Sequence, residues 1–459
     1  MNEYFTSQYL NVIDLGETSL LFNGTNGCLD EVSKELGGRL SDKKSIKDFS
    51  FLGKDDISFL AKRGHITHLA PEVEWKRFRD LAAAIHNKKA AGRSYAMIKL
   101  LMSYNCNLDC KYCYQRMHRP GKSHAVMSEA LLDSLFENHL PSLFPGVDIK
   151  NTKISFYGGE PFLSSNEKIV RKALFHAKKH GMQSGAITNA TMVDSMPDIF
   201  GTEPGTVSMV QVSLDGNREE HDNSRVPISG GKTFDRIIEN IKMLLERGTK
   251  VNVRLNLDKR TIESIPPLLE ELKSRKVIGQ PNCLIYASPL QNNMGSVDDA
   301  NFMDVYSLST RMAKLGVDME HPVSLRANEM SHLFGMEKGL GLNRTAYCMQ
   351  STQSAIIVDP FGDLYSCFEE AGHPEYRIGS ISAGKVKFYP LLEKYRTRHI
   401  ANMEECVKCS VALACGGQCG AKGRTETGDL LRPYCPDFKA TILESVKCAY
   451  MKNKKESKD

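Results

Sequence analysis

The chain has 459 residues, of which 41% are apolar and 25% charged, and its formal net charge is +5. That length allows about two to four domains, and the composition is that of a folded globular protein. A charge this mild calls for no nucleic acid or other polyanion. No stretch approaches the roughly 18 uninterrupted apolar residues of a membrane span. Of the 13 cysteines, Cys106, Cys110 and Cys113 form one group and eight more lie between Cys348 and Cys448. Only Cys28 and Cys283 stand apart. Residues 1–20 lack a basic start followed by an apolar core. Clustered cysteines in an unexported chain read as metal ligands in a reducing cytoplasm, not as disulfides.

Residues 1–90 read as a small unit. Tyr9–Ile13 and Ser19–Asn23, split by Gly16, predict a hairpin. Cys28–Leu36 has a helical pattern ended by Gly37-Gly38. A short helix runs from Lys54-Asp55-Asp56 to Lys62, and a strand lies around His65–His68. This order fits a winged-helix-like α+β domain. The polar run His86–Arg93 predicts a linker.

Residues 94–290 alternate strand and helix. Strands are expected at Ile98–Met102, Lys153–Tyr157, Gly185–Thr188, Met209–Leu214, Lys250–Leu257 and Cys283–Ala287. Between them lie a helix capped by Ser128 and ended by Pro141, one from Ser165 to His180 stopped by Gly181, one from Thr233 to Arg247 stopped by Gly248, and one after Pro266-Pro267. Six strands with such crossovers predict a parallel α/β sheet, curved as a partial (β/α)6 TIM-like barrel, with reactive residues at the C-terminal strand ends. Residues 291–340 read as an irregular bridge. Residues 341–450 read as a loop-rich fold organised around metal, and the Lys-rich end, 452–459, as a solvated tail.

The run Cys106-Asn-Leu-Asp-Cys110-Lys-Tyr-Cys113 enters directly from the first of these strands. Three thiolates at this spacing can wrap three irons of a [4Fe–4S] cube and leave the fourth open, unlike the closed four-cysteine runs of ferredoxins. The other reading is a zinc site short of one ligand, although zinc sites usually pair CxxC knuckles with a fourth Cys or His. The triplet resembles that of the radical S-adenosylmethionine (SAM) enzymes. In that family the open iron chelates the amino and carboxylate groups of SAM. One-electron reduction then yields methionine and a 5′-deoxyadenosyl radical that takes hydrogen from an unactivated carbon.

Tyr157-Gly158-Gly159-Glu160-Pro161 closes the second strand some 45 residues after the triplet. Two glycines let backbone approach a ligand with no Cβ in the way. Family resemblance implies that Gly158, Gly159 and Glu160 meet the SAM amino group. It implies that Asn189 and Ser213 lie near the ribose and carboxylate, that Arg225 pairs with the carboxylate, and that Tyr112 lies by the adenine. Without the resemblance, Asp215-Gly216 reads as a turn. Arg254 and Asn256 point into the barrel with no role assigned, and no catalytic residue is assigned.

Cys348, Gly362 and Cys367, then Cys406-x2-Cys409-x5-Cys415-x3-Cys419 and Cys435, are similar to the SPASM domain, which holds two auxiliary [4Fe–4S] clusters. Two zinc ribbons are the other reading. The resemblance implies that Cys406, Cys409, Cys415 and Cys435 enclose a distal cluster, and that Cys348, Cys367 and Cys419 hold a proximal one. With the triplet this makes three [4Fe–4S] clusters. Sulfatase-maturing relatives add a cysteine shortly before the first of these, which Gly339–Tyr347 lacks, so a substrate thiolate could take the open iron. Cys283 or Cys448 could instead be the fourth ligand. Those relatives also carry Asp after the cysteine matching Cys367. Here it is Phe368, and if the segment were a strand, alternation would turn Glu369 the other way.

The whole is identified as a radical SAM/SPASM peptide maturase of the sactipeptide or ranthipeptide thioether-forming type, with the N-terminal unit as a leader-peptide recognition element. The implied partners are a Cys-containing precursor peptide, its leader added as a strand at the Tyr9–Ile13 edge, and a flavodoxin- or ferredoxin-type electron donor. The alternative is an anaerobic sulfatase maturase forming formylglycine. A non-enzymatic iron–sulfur or zinc scaffold would have no use for the Gly-Gly-Glu element.

Overall fold

The computed structural model describes residues 4–43, 46–47, 49, 51–118, 125–290, 300–317, 323–325, 342–382, 384–435 and 438–456. These form two compact units. One comprises the described residues of Met1–Ala91, Ala327–Ser351 and Thr397–Asp459, the other those of Gly92–Arg326 and Thr352–Arg396.

In the first unit, β1 (Tyr4–Thr6) precedes an antiparallel meander of β2 (Leu10–Asp14), β3 (Thr18–Asn23) and β4 (Leu29–Ser33). The helix expected over Cys28–Leu36 is corrected here. Leu29–Ser33 pairs along its length with β3, and the helix α1 (Lys34–Ser41) begins only where Ser33 caps it by accepting from Leu36 N. Gly37 lies inside α1 and does not stop it. A Cβ there would sit 2.3 Å from Ser19 Oγ, so the glycine lets α1 rest directly on β3. β5 (Ile46–Lys47) and β6 (Ile66–Thr67) flank β1, with α2 (Lys54–Lys62) between them in sequence. The expected linker is instead the end of a 21-residue helix, α3 (Pro71–Ala91), which buries Phe78, Ala82 and His86. That i, i+4, i+8 stripe was too narrow to stand out from its polar neighbours.

The second unit carries the six expected parallel strands in sequence order: β7 (Ala96–Leu101), β8 (Thr152–Tyr157), β9 (Ser184–Thr188), β10 (Val207–Leu214), β11 (Lys250–Leu257) and β12 (Cys283–Pro289). Ser128 caps α4 (Glu129–Ser134), and the chain continues through a π-helical turn at Leu135–His139 into α5 (Leu140–Leu143). Pro141 therefore opens a helical turn, where its missing N–H costs little, and does not end one. The crossovers α6 (Glu167–His180), α7 (Arg218–Ser224), α8 (Phe234–Glu246) and α9 (Ile265–Ser274) follow. α8 buries Ile237, Ile238, Ile241, Leu244 and Leu245 along one face. Of residues 291–340, 300–317 and 323–325 are described, including α10 (Val305–Lys314) and β13 (Val323–Leu325), which extends the sheet beside β12. The remaining bridge positions lie outside the described residues.

The segment after Cys348 is less loop-like than expected. Beyond α11 (Met349–Thr352), β14 (Ala355–Val358) pairs in parallel with β7. β15 (Asp363–Tyr365), β16 (Gly379–Ser382) and β17 (Lys385–Phe388) continue antiparallel, giving eleven strands in one sheet among the described residues. The all-buried run Ala355-Ile356-Ile357-Val358 was the available signal. Helices α12 (Leu391–Thr397), α13 (Glu404–Val407), α14 (Ala412–Cys415), α15 (Gly420–Thr427) and α16 (Phe438–Glu456) follow.

Within the first unit, the N-terminal and C-terminal segments share one core. Tyr9, Leu20, Phe22 and Phe78 pack with Ile400, Met403, Leu413 and Val446. Tyr9 OH donates to Val407 O at 2.5 Å, and Ser410 Oγ donates to Asn11 Oδ1 at 2.6 Å. The Lys-rich end is partly docked as well, since Tyr450 OH and Lys454 Nζ reach Glu31 Oε2 at 2.8 and 2.6 Å. A Cβ on Gly24 would fall 1.7 Å from Ser410 O. Gly24→Ala should therefore destabilise the chain by about 1–3 kcal/mol, the usual cost of overpacking. Anaerobic urea denaturation checks this, and an unchanged midpoint would contradict the shared core.

Candidate active site

The expected SAM-binding residues belong to the second unit and gather around the C-terminal ends of its parallel strands, where α/β sheets place reactive groups. β7 runs out at Leu101 and the chain passes through Ser103-Tyr104-Asn105 into the cysteine loop. Gly158 and Gly159 follow β8 and lie against that passage. Gly159 N donates to Ser103 O at 3.1 Å and Glu160 N to Asn105 O at 2.8 Å. A Cβ on Gly159 would stand 1.9 Å from Asn105 O. One on Gly158, whose φ is +137°, would stand 2.7 Å from Ser103 O. Both glycines thus let two backbone segments touch. On its other side the loop is pinned by Asp109 N to Val226 O at 2.8 Å and Ile228 N to Asn107 O at 2.9 Å.

Cys110 is buried, and Cys106 and Cys113 are half-buried. Burial pushes the Cys110 thiol up to about 12, with Cys113 and Cys106 adding to the rise against the pull of Arg225. Three soft donors this close need a cation to be held as thiolates. Among the described residues no three His, Cys, Asp or Glu converge on a single metal ion.

Glu160 is 1% exposed. Its Oε1 accepts from Thr188 Oγ1 at 2.6 Å and Phe162 N at 3.0 Å, and its Oε2 from Asn189 N at 2.8 Å. Burial raises this carboxyl, and the three donors pull it back. The side chain therefore joins the ends of β8 and β9. Asn189 Nδ2 then donates to Asn107 Oδ1 at 2.9 Å and reaches Cys106 Sγ at 3.8 Å.

A second network holds the other expected residues. Tyr112 OH donates to Asp215 Oδ2 at 2.6 Å and accepts from Arg225 Nη1 at 2.6 Å, while Asn256 Nδ2 donates to Asp215 Oδ1 at 3.2 Å. Asp215 is 1% exposed, its carboxyl raised by burial and lowered by Arg225. Reading it only as a turn former missed this. Its place at the end of β10 was the available signal. Gly216, with φ +92°, makes the turn. Arg225 Nε is buried with no hydrogen-bond partner, a donor suited to a ligand carboxylate. Ser213 is half-buried on β10, in register with Arg254, which donates to Ser288 Oγ at 3.0 Å. The Asp215 network does not include Ser213.

In the first unit, burial pushes the Cys406 thiol up, and Cys415, Cys435 and Cys409 add to the rise. These four are the expected distal ligands, and they lie close enough to act on one another. Gly416 and Gly417 turn with φ of +73° and +77°, and a Cβ on Gly417 would sit 3.6 Å from Cys406 Sγ. Of the proximal set, Cys348 and Cys419 belong to the first unit and Cys367 to the second. Cys367 adjoins Phe368, whose carbonyl accepts from Tyr157 OH at 2.6 Å at the C-terminal end of β8. Cys283 opens β12 at the opposite end of the sheet, and seven strand residues span roughly 20 Å. It is therefore out of reach of Cys367 and of any cluster that Cys367 would hold. Cys448 lies on α16, 3.9 Å from Glu444 Oε1.

Gly159→Ala should abolish 5′-deoxyadenosine formation, because the added methyl drives Asn105 and the cysteine loop off the end of β8. The loop's altered seating should also lower iron retention. A variant that still cleaves SAM at the wild-type rate would show that this close approach is dispensable.

Residues 100–272 match the family model of the Radical SAM superfamily. A cysteine-type anaerobic sulfatase-maturating enzyme of Clostridium perfringens is 24% identical over 368 residues, covering 73% of this chain and 92% of its own length. The radical SAM cyclopropyl synthase TigE of Paramaledivibacter caminithermalis is 20% identical over 472 residues, covering 97% of this chain and 96% of its own. Streptococcus suis SuiB bound to precursor peptide SuiA has a similar fold, with a TM-score of 0.52 and 15% identity over 92% of this chain and 97% of that one. Residues 100–272 are a radical SAM domain, and the chain is a radical SAM enzyme.

Proposed function

We propose that the enzyme matures a ribosomally made, Cys-containing precursor peptide by installing a thioether or related crosslink. The observation that carries this reading is Phe368. Its ring centroid lies 5.9 Å from that of Tyr157 and 6.1 Å from that of Tyr114, with Lys99 Nζ 4.8 Å above it. The position that carries Asp in sulfatase-maturing enzymes is thus an aromatic contact under a cation. The fold shared with SuiB, which was solved bound to its precursor peptide, supports a peptide substrate, and the similarity to TigE extends over the N-terminal unit.

In this reading the Gly158 and Gly159 carbonyls and Arg225 Nε receive SAM, and the Cys106, Cys110 and Cys113 thiolates hold the first of three [4Fe–4S] clusters. When bound, these groups supply a 5′-deoxyadenosyl radical that takes a hydrogen atom from a peptide carbon. An auxiliary cluster, if it bound the substrate sulfur, would also supply an acceptor for the surplus electron of crosslink formation. The strand first expected to receive the leader, Tyr9–Ile13, is buried except at Val12, whereas Leu29–Val32 of β4 are half-buried and Ser33 exposed. The leader is accordingly assigned to the β4 edge.

One observation favours the formylglycine alternative. Cys367–Glu370 is a turn, closed by Glu370 N to Cys367 O at 3.2 Å, and not the strand that would have turned Glu369 away. Glu369 is half-buried, and its charge bears on Tyr114. It stands as the carboxylate nearest in sequence to the replaced Asp.

Two peptides separate the readings: a Cys-containing precursor encoded beside the enzyme, and a sulfatase-derived peptide. Anaerobically reconstituted protein should hold about 12 iron atoms, and Ala at all three triplet positions should remove about four of them with all SAM cleavage. The precursor should lose two hydrogens, about 2 Da, per crosslink. Substrate Cys→Ser should remove that change. A hydrazide-reactive aldehyde in the sulfatase peptide, with an unmodified precursor, would establish the alternative.

A further inference from the structure

One oxygen in the second unit joins three segments that carry the chemistry. Tyr157, the last residue of β8, is 4% exposed. Its hydroxyl donates to Phe368 O at 2.6 Å, is 2.9 Å from Tyr114 OH, and accepts from Gln115 Nε2 at 2.7 Å. Tyr114 and Gln115 directly follow Cys113, Phe368 directly follows Cys367, and Gly158 directly follows Tyr157. The rings of Tyr114 and Phe368 lie against one another, and Leu101, Tyr104, Tyr365 and Ala371 close an apolar cluster around Tyr157. Both tyrosine hydroxyls feel the thiols of Cys113 and Cys367.

We propose that Tyr157 is a positioning residue whose hydroxyl fastens the Cys367–Phe368 turn to the loop after Cys113, fixing where the peptide's sulfur stands relative to the carbon that loses hydrogen. This goes beyond the SAM-binding part of the Gly-Gly-Glu element, and it rests on the peptide-modifying reading above. A hydroxyl that served only its own burial needs a single partner. This one meets three groups, each one residue from a cysteine ligand or two from one. The turn itself is short and is held internally by Glu370 N to Cys367 O and His373 N to Glu370 O at 3.1 Å. Those bonds shape the turn but do not attach it to the Cys113 loop. The Tyr157 hydroxyl does.

The test is Tyr157→Phe in the reconstituted full-length enzyme, which keeps the ring and deletes only the oxygen. Hydrogen exchange should rise at the amides of residues 367–372 and 113–116 while the strands of the sheet stay protected. With precursor, crosslink formed per 5′-deoxyadenosine should fall on the order of tenfold or more, since a displacement of about 1 Å away from the reacting atoms can cost that much. Tyr114→Phe, which leaves the Tyr157–Phe368 bond intact, should give a smaller change in both readouts. It serves as the variant of record if Tyr157→Phe fails to fold. Unchanged exchange at 367–372, or full coupling in Tyr157→Phe, would overturn the proposal. Raised exchange in an enzyme that modifies no precursor even as wild type would uphold the fastening and remove the function assigned to it.

Discussion

The touching of two backbones at the ends of β7 and β8 is the constraint on which the site depends. Gly159 lies so close to Asn105 that a single Cβ has no room. Two backbone hydrogen bonds between Ser103-Tyr104-Asn105 and Gly159-Glu160 exist only because of that approach. A cysteine loop of this length has no hydrophobic core of its own. It takes its shape from strand β8 on one side and from residues 226–228 on the other. The same glycines that leave space for a ligand therefore hold the ligand's metal site in place.

Two buried carboxylates then tie the strand ends together. Removing a carboxylate from water is costly unless donors replace the lost hydration. Glu160 gathers Thr188, Asn189 and Phe162 around the ends of β8 and β9. Asp215 gathers Tyr112 and Asn256, with Arg225 3.8 Å away, around β10 and β11. Each carboxylate also reaches the cysteine loop, the first through Asn189 to Asn107 and the second through Tyr112. The loop is thus sensed from two sides, and the orphaned Nε of Arg225 is the point where the second network is left incomplete.

The parallel sheet was legible because its strands are short buried runs, each followed by an amphipathic crossover, and because glycines with positive φ end α6 and α8. The candidate metal ligands stood out by their clustering and spacing, and their grouping into sets came from family resemblance. What escaped reading were residues whose role comes from long-range placement. Asp215 looks like a turn former in sequence, and Tyr157 like the last apolar residue of a strand. Leu29–Ser33 was mistaken for helix because a meander edge with Asp30 and Glu31 has no alternation to betray it. Glu31 finds its partners in Thr18, Tyr450 and Lys454, the last two more than 400 residues away. No local pattern encodes such pairs.

The cysteine-rich C-terminal segment poses a last physical problem. Its helices α13 and α14 are four residues each, too short to be stable alone. Short metal-organised folds commonly draw part of their stability from the bound metal. These helices draw on the N-terminal unit, whose Tyr9, Phe22 and Phe78 bury Val407, Leu413 and Ala414 in one cluster. Tyr9 stacks on Phe78 at 4.5 Å and holds Val407 O, two residues from Cys409. The N-terminal unit and the segment that carries Cys406, Cys409 and Cys415 therefore share a core. Removing residues 1–91 takes away the side chains that bury Val407, Leu413 and Ala414, so a truncation also alters the fold around the C-terminal cysteines. Substitutions that leave this shared core intact probe the N-terminal unit without that confusion.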